Sequence, residues 1–154
     1  MLGAGDTAPD FRLEDLNGRE KSLQDFISAK PALFALFKVS CPVCQWTLPF
    51  LERLAKSDNV EVVAISQDGL RATEDFRNRF GVTFTTLLDK PENGYPVSNA
   101  FGIATVPSLF LVEPGGGISL SGAGFSKRDL ETVGRIAGIE PFQPGEKIPE
   151  FKAG

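Results

Sequence analysis

The chain has 154 residues, 42% hydrophobic and 23% charged, with a formal net charge of −4. That length suits one domain burying roughly 68–70% of its unfolded surface, with the composition of an ordinary globular protein. The negative balance argues against nucleic acid as a main partner, and no run approaches the ~20 apolar residues of a membrane span. Near the start, Phe11-Arg12-Leu13 and Lys21-Ser22-Leu23 flank Leu16-Asn17-Gly18-Arg19, whose Asn-Gly pair signals a hairpin turn. Ala32 to Val39 is apolar on both alternating faces apart from Lys38, which reads as a central strand covered on both sides. A helix follows from Pro42 through Leu48, Leu51 and Leu54, with a kink expected at Pro49.

Val60 to Ser66 reads as a second core strand, and Gln67-Asp68-Gly69 leads into a helix. That helix carries Ala72, Phe76 and Phe80 on one face and stops at Gly81. Thr83 to Leu88 is a third strand, and Val97 to Phe101 a short helix. Ser108–Val112 and Ile118–Leu120 bracket Pro114-Gly115-Gly116-Gly117 as a hairpin. Ser126, with Asp129 three residues on, caps a last helix carrying Leu130, Val133 and Ile136. The predicted domain is residues 1–138. The tail, 139–154, is rich in Pro, Glu and Lys and offers Phe142, Ile148 and Phe151 as anchors. Alternating strands and helices imply an α/β fold: a parallel core sheet with helices on both faces, made mixed by the closing hairpin.

The chemistry concentrates at Cys41-Pro42-Val43-Cys44, which holds the only two cysteines. The absence of histidine removes Cys-His and Ser-His catalysis and every His-ligated metal site. Between a buried strand and a helix, Cys41 falls at the N-cap and Pro42 at the first helical position, where its missing N–H costs nothing. The unpaired N–H groups of a helix N-terminus favour thiolate over thiol. Cys44 lies one turn further in, within reach to close a disulfide. From position, Cys41 attacks a substrate disulfide and Cys44 resolves the mixed disulfide. A fortuitous buried pair, a structural disulfide and half of an intersubunit zinc site are the alternatives for the two cysteines.

Three segments in order carry a resemblance. Gly5-Asp6-Thr7-Ala8-Pro9-Asp10-Phe11 is similar to a Gly-x-x-Ala-Pro-x-Phe opening. Cys41-Pro42-Val43-Cys44 with Pro49 matches a redox motif and its kinking proline, and Phe101 to Ser108 is similar to a Gly-Val-x-x-x-Pro-Thr segment. Over about residues 5 to 138 the chain resembles the thioredoxin-like superfamily. Within it, the likeness is to the redoxin branch of TlpA/ResA-type thiol–disulfide oxidoreductases and AhpC/TSA-type peroxiredoxins. The resemblance implies a thioredoxin-like fold with an N-terminal β-hairpin extension, no bound cofactor, and a cis Pro107 set against the dithiol. It implies that Val106 presents backbone to an extended substrate, although Pro107 could also simply begin a strand. Expected partners are a disulfide- or dithiol-containing protein or small molecule and a separate reductant, with neither nucleic acid nor metal.

The departures from the family pattern are specific. Ser40 stands where the family has Trp, Ala35 where thioredoxin has a buried Asp, and Thr47 where TlpA-type proteins have Glu. Asp68 and Asp89, near strand ends, are candidate replacement proton acceptors or simple loop caps. Lys38 is either a solvent-reaching strand end or a cation acting on Cys41. Trp46 either shields the dithiol or packs on the helix. The peroxiredoxin pattern Pro-x-x-x-(Thr/Ser)-x-x-Cys fits neither cysteine, so thiol peroxidase is the alternative activity, followed by a non-catalytic redox-sensing module. Met1-Leu2-Gly3-Ala4-Gly5 has neither a basic nor an apolar leader region, so the cytoplasm is expected; an exported chain trimmed to its mature form would begin the same way.

Overall fold

Strand β3 (Ala32–Phe37) organises the molecule because both of its faces are apolar and both of its edges are paired. The computed structural model describes residues 1–154. β3 runs parallel to β4 (Glu61–Ser66) and antiparallel to β6 (Ser108–Val112). Beyond β4 lies parallel β5 (Thr86–Leu88), then the antiparallel N-terminal hairpin β1 (Arg12–Asp15) and β2 (Glu20–Ser22). Beyond β6 lies β7 (Ile118–Ala123), giving a seven-stranded mixed sheet in the order β2-β1-β5-β4-β3-β6-β7. The hairpin therefore extends the main sheet instead of standing apart from it.

The alternation in β3 divides the core. Leu33, Ala35 and Phe37 face one cluster, packed under α2 (Pro42–Leu54), α3 (Leu70–Phe80) and α5 (Lys127–Ala137). Ala32, Phe34 and Leu36 face the other, with α1 (Leu23–Ile27) and α4 (Pro96–Phe101). All six residues of β3 are fully buried. This is the thioredoxin-like arrangement, with helices on both faces of a mixed sheet. No helix is long and apolar enough to cross a membrane.

Several boundaries and faces differ from expectation. β3 ends at Phe37 because the Val39 N–H bonds to the Asp68 carboxylate (2.8 Å) instead of a neighbouring strand. β5 begins at Thr86 because Thr83 and Phe84 donate backbone N–H groups to Glu52. On α3 the inward residue beside Phe76 is Thr73, whose hydroxyl meets Ser66 Oγ at 2.7 Å, and Ala72 is exposed. On α5, Ala137 turns inward and Ile136 outward, 43% exposed. Leu23 opens helix α1 instead of continuing a strand, with Asp25 accepting the Ser22 N–H at 2.7 Å.

Residues 139–154 return across α2 and α5. Phe142 stacks edge-on against Phe50 (5.1 Å), and Arg53 holds Glu146 with paired 2.7 Å hydrogen bonds. The last strand, β9 (Phe151–Lys152), pairs antiparallel with β8 (Phe125–Ser126). Phe142 and Ile148 pack on the core, whereas Phe151 is 57% exposed and joins neither core cluster.

Candidate active site

Cys41 is the N-cap of α2, with extended backbone (φ −84°, ψ 115°) and Pro42 directly after it. Its position is held from behind. The Cys41 N–H donates to the Lys38 carbonyl (3.2 Å), Gln45 Nε2 donates to the Val39 carbonyl (3.0 Å), and Asp68 accepts the Val39 N–H. The strand-to-helix turn is thus fixed at both backbone groups of Val39. Cys41 Sγ is half-buried and accepts the Cys44 N–H at 3.1 Å, the contact that a helix N-terminus offers a negatively charged sulfur. On its other side it donates to the Val106 carbonyl at 3.5 Å.

Cys44 has no solvent exposure and sits in the apolar cluster with Phe37 and Leu48. Burial pushes its thiol well above the ordinary range, and the Cys41 side chain pushes it further the same way. Position 35 supplies no carboxylate to accept its proton. Ala35 lies in the same cluster, and buried Thr47 spends its hydroxyl on the Val43 carbonyl one turn back (2.7 Å).

The Val106–Pro107 peptide bond is cis, and Pro107 is buried. The loop is set by Ser108 Oγ donating to the Thr105 carbonyl (2.8 Å) and by the Gly124 N–H donating to the Pro107 carbonyl (2.8 Å). The structure thereby brings Cys41, Cys44, Val106 and Pro107 together.

The other sequence candidates fall into place by contact. Lys38 Nζ is 3.7 Å from Asp68, so the carboxylate offsets its charge beside the dithiol. Asp68 is near enough for its negative charge to raise the Cys44 thiol as well. Asp89 is fully buried elsewhere; it accepts the N–H groups of Val97 (3.1 Å) and Ser98 (2.7 Å) and so caps α4. Trp46 packs edge-on with Phe50 (5.1 Å) and Phe125 (6.0 Å). No three His, Cys, Asp or Glu side chains converge as a metal-binding group. Sequence reasoning missed Gln45, whose role rests on a contact six residues back. It also missed residues 150–154, which return to Val106; their only sequence signal was the apolar Phe151.

A dithiol at the strand-to-helix junction of a thioredoxin-like sheet, facing a cis-proline loop, defines the class. The AhpC/TSA family model matches residues 4–121, and the chain belongs to that family. Among similar proteins is the thiol-disulfide oxidoreductase ResA of Geobacillus thermodenitrificans, 32% identical over 75% of this chain and 66% of that one. The ResA of Geobacillus kaustophilus is 30% identical over 84% of this chain and 75% of its own length. The chain thus spans about two thirds to three quarters of these relatives. Among solved structures, the thioredoxin domain of a thiol-disulfide oxidoreductase from Bacteroides vulgatus superposes with a TM-score of 0.79 at 23% identity, covering 89% of this chain and 99% of that one. A thiol:disulfide interchange protein from a Bacteroides species gives 0.77 at 22% identity, covering 89% and 91%. At those identities the likeness is one of fold.

Proposed function

We propose that Cys41 and Cys44 are the redox centre of this thiol–disulfide oxidoreductase, with Cys41 as nucleophile, Cys44 as resolving thiol, and Val106 beside Pro107 as the backbone that docks substrate. The observation that carries the reading is the asymmetry of the pair. Cys41 Sγ is partly exposed between the Cys44 N–H and the Val106 carbonyl, and Cys44 is sealed from solvent. Cys41 thiolate attacks one sulfur of a substrate disulfide, and the other sulfur leaves with the electron pair. Cys44, once deprotonated, attacks Cys41 Sγ and releases the second substrate thiol, so the protein is oxidised as the substrate is reduced. A separate dithiol reductant returns the pair; in reverse, the same steps oxidise a dithiol. The chemistry needs no bound cofactor, and the substrate class is a disulfide- or dithiol-containing protein or small molecule.

The family also contains thiol peroxidases, which place a Thr or Ser three residues before the reactive cysteine. Here those positions are Lys38 and Cys41, and neither supplies a hydroxyl. The test pairs two reactions with one reductant, a protein disulfide in the first and hydrogen peroxide in the second. Faster turnover of the disulfide is expected, together with preferential labelling of Cys41 by one equivalent of alkylating agent at mildly acidic pH. Faster peroxide consumption that depends on either cysteine, or preferential labelling of Cys44, would overturn the assignment.

A further inference from the structure

Residues 150–154 lie along β8 and against the Val106 loop. β9 pairs with β8 in the register Phe125↔Lys152 and Ser126↔Phe151, extended by the Lys127 N–H on the Glu150 carbonyl at 3.0 Å. Gly124 admits this strand. Its φ is +79°, and a side chain there would stand 2.5 Å from the Lys152 carbonyl and 3.3 Å from the Gly154 nitrogen. Gly154 in turn lies against Val106. A Cβ on Gly154 would collide with the Val106 carbonyl oxygen and come within 2.9 Å of Thr105 Oγ1. That oxygen is the one Cys41 Sγ reaches. Lys152 closes the flank, its ammonium 5.3 Å from the centre of the Trp46 ring.

We propose that residues 150–154 are an intramolecular occupant of the Val106 groove, which an extended polypeptide must displace to reach Cys41. The inference rests on the reading of Val106 as docking backbone. The segment has the attributes of a competitor and not of a core element. It is extended, it pairs with the β8 edge over two residues, and Gly154 lies against the Val106 carbonyl. Its outer side faces water, with Phe151 57% exposed. A substrate strand taking its place would gain the same edge by β-augmentation. A small disulfide does not need that edge and is not excluded by the tail.

Gly154→Leu tests the idea, because the added side chain cannot sit against Val106 and the residue itself is exposed. Lys152→Glu is the second variant, replacing the cation over the Trp46 ring with an anion. Calorimetric titration of the chain of residues 1–154 with a synthetic peptide of residues 148–154 should give roughly three- to thirtyfold tighter binding to both variants, the factor set by the fraction of chains already open. KM for a disulfide-bonded polypeptide should fall by a similar factor at unchanged kcat, with a small disulfide unaffected. Equal peptide affinity in the variants and the unaltered chain would overturn the gate even if disulfides turn over normally. Tighter peptide binding without turnover of any disulfide would keep the gate and defeat the proposed function instead.

Discussion

The burial of Cys44 makes resolution the pH-sensitive half of the cycle. An ordinary thiol with a pKa near 8.5 is about 3% thiolate at pH 7. Cys44 lies above that range because burial disfavours its charged form, so its reactive fraction at pH 7 is smaller still. Once Cys41 is tied up in a mixed disulfide it is no longer a thiol or thiolate, so the smaller contribution of the Cys41 side chain changes, but burial, the larger cause, remains. Since a raised pKa leaves less thiolate at any given pH, the rate of resolution must climb with pH. The perturbation is to preload Cys41 with a thionitrobenzoate group and follow release of the coloured thiol from pH 6 to 10. Release requires attack by the Cys44 sulfur, with the electron pair leaving on thionitrobenzoate. The rate should rise by about tenfold per pH unit, with no plateau below about pH 9, and release should vanish in Cys44→Ser. A plateau near pH 7 would refute the reasoning, since it would require a base or a stabilised thiolate that the apolar cluster around Ala35 does not provide.

Two further outcomes test the architecture. Phe125 is fully buried between Trp46, Phe50 and Phe142, so Phe125→Ala should destabilise by about 3–5 kcal/mol, lowering Tm by roughly 6–20 °C; an unchanged Tm in thermal unfolding would contradict that packing. Arg53 holds the Glu146 carboxyl down to about 2, so the stabilisation from this pair is fully present above the ordinary carboxylate range and is lost as pH falls toward that value. Glu146→Gln should flatten the stability profile in that acid window only, as measured by denaturant unfolding.

The parts of the fold legible in the sequence were those written in local pattern. Six apolar residues in a row, too short for a typical helix, read as a strand covered on both faces, and Cys41-Pro42 carries both the N-cap and the first helical residue in adjacent letters. Gly81 likewise stops α3 in the left-handed conformation, φ 68°. What failed was decided by distant partners. Thr73 outranks Ala72 as an inward residue because Ser66 gives its hydroxyl a buried partner. Ile136 loses to Ala137 on α5, where the small residue is the one turned toward the core. The five-residue α1 is too short for periodicity to show, and its N-cap Ser22 and first residue Leu23 fall in the segment that reads as the hairpin's second arm. At the site, the two cysteines were legible from spacing and Pro107 from the family resemblance, but Gln45 on Val39 and Gly154 on Val106 depend on contacts that no local pattern encodes.

Trp46 is the chain's single tryptophan, and its place in the fold gives the protein a built-in optical reporter. The indole stands two residues beyond Cys44, edge-on to Phe50 and Phe125, with the Lys152 ammonium over its ring and its Nε1 buried without a hydrogen-bond partner. Emission from such an indole is sensitive to a nearby cation and to water reaching the ring nitrogen. Movement of Lys152 and hydration of Nε1 therefore converge on one fluorophore. Displacement of residues 150–154 should shift the intrinsic fluorescence of the unlabelled protein.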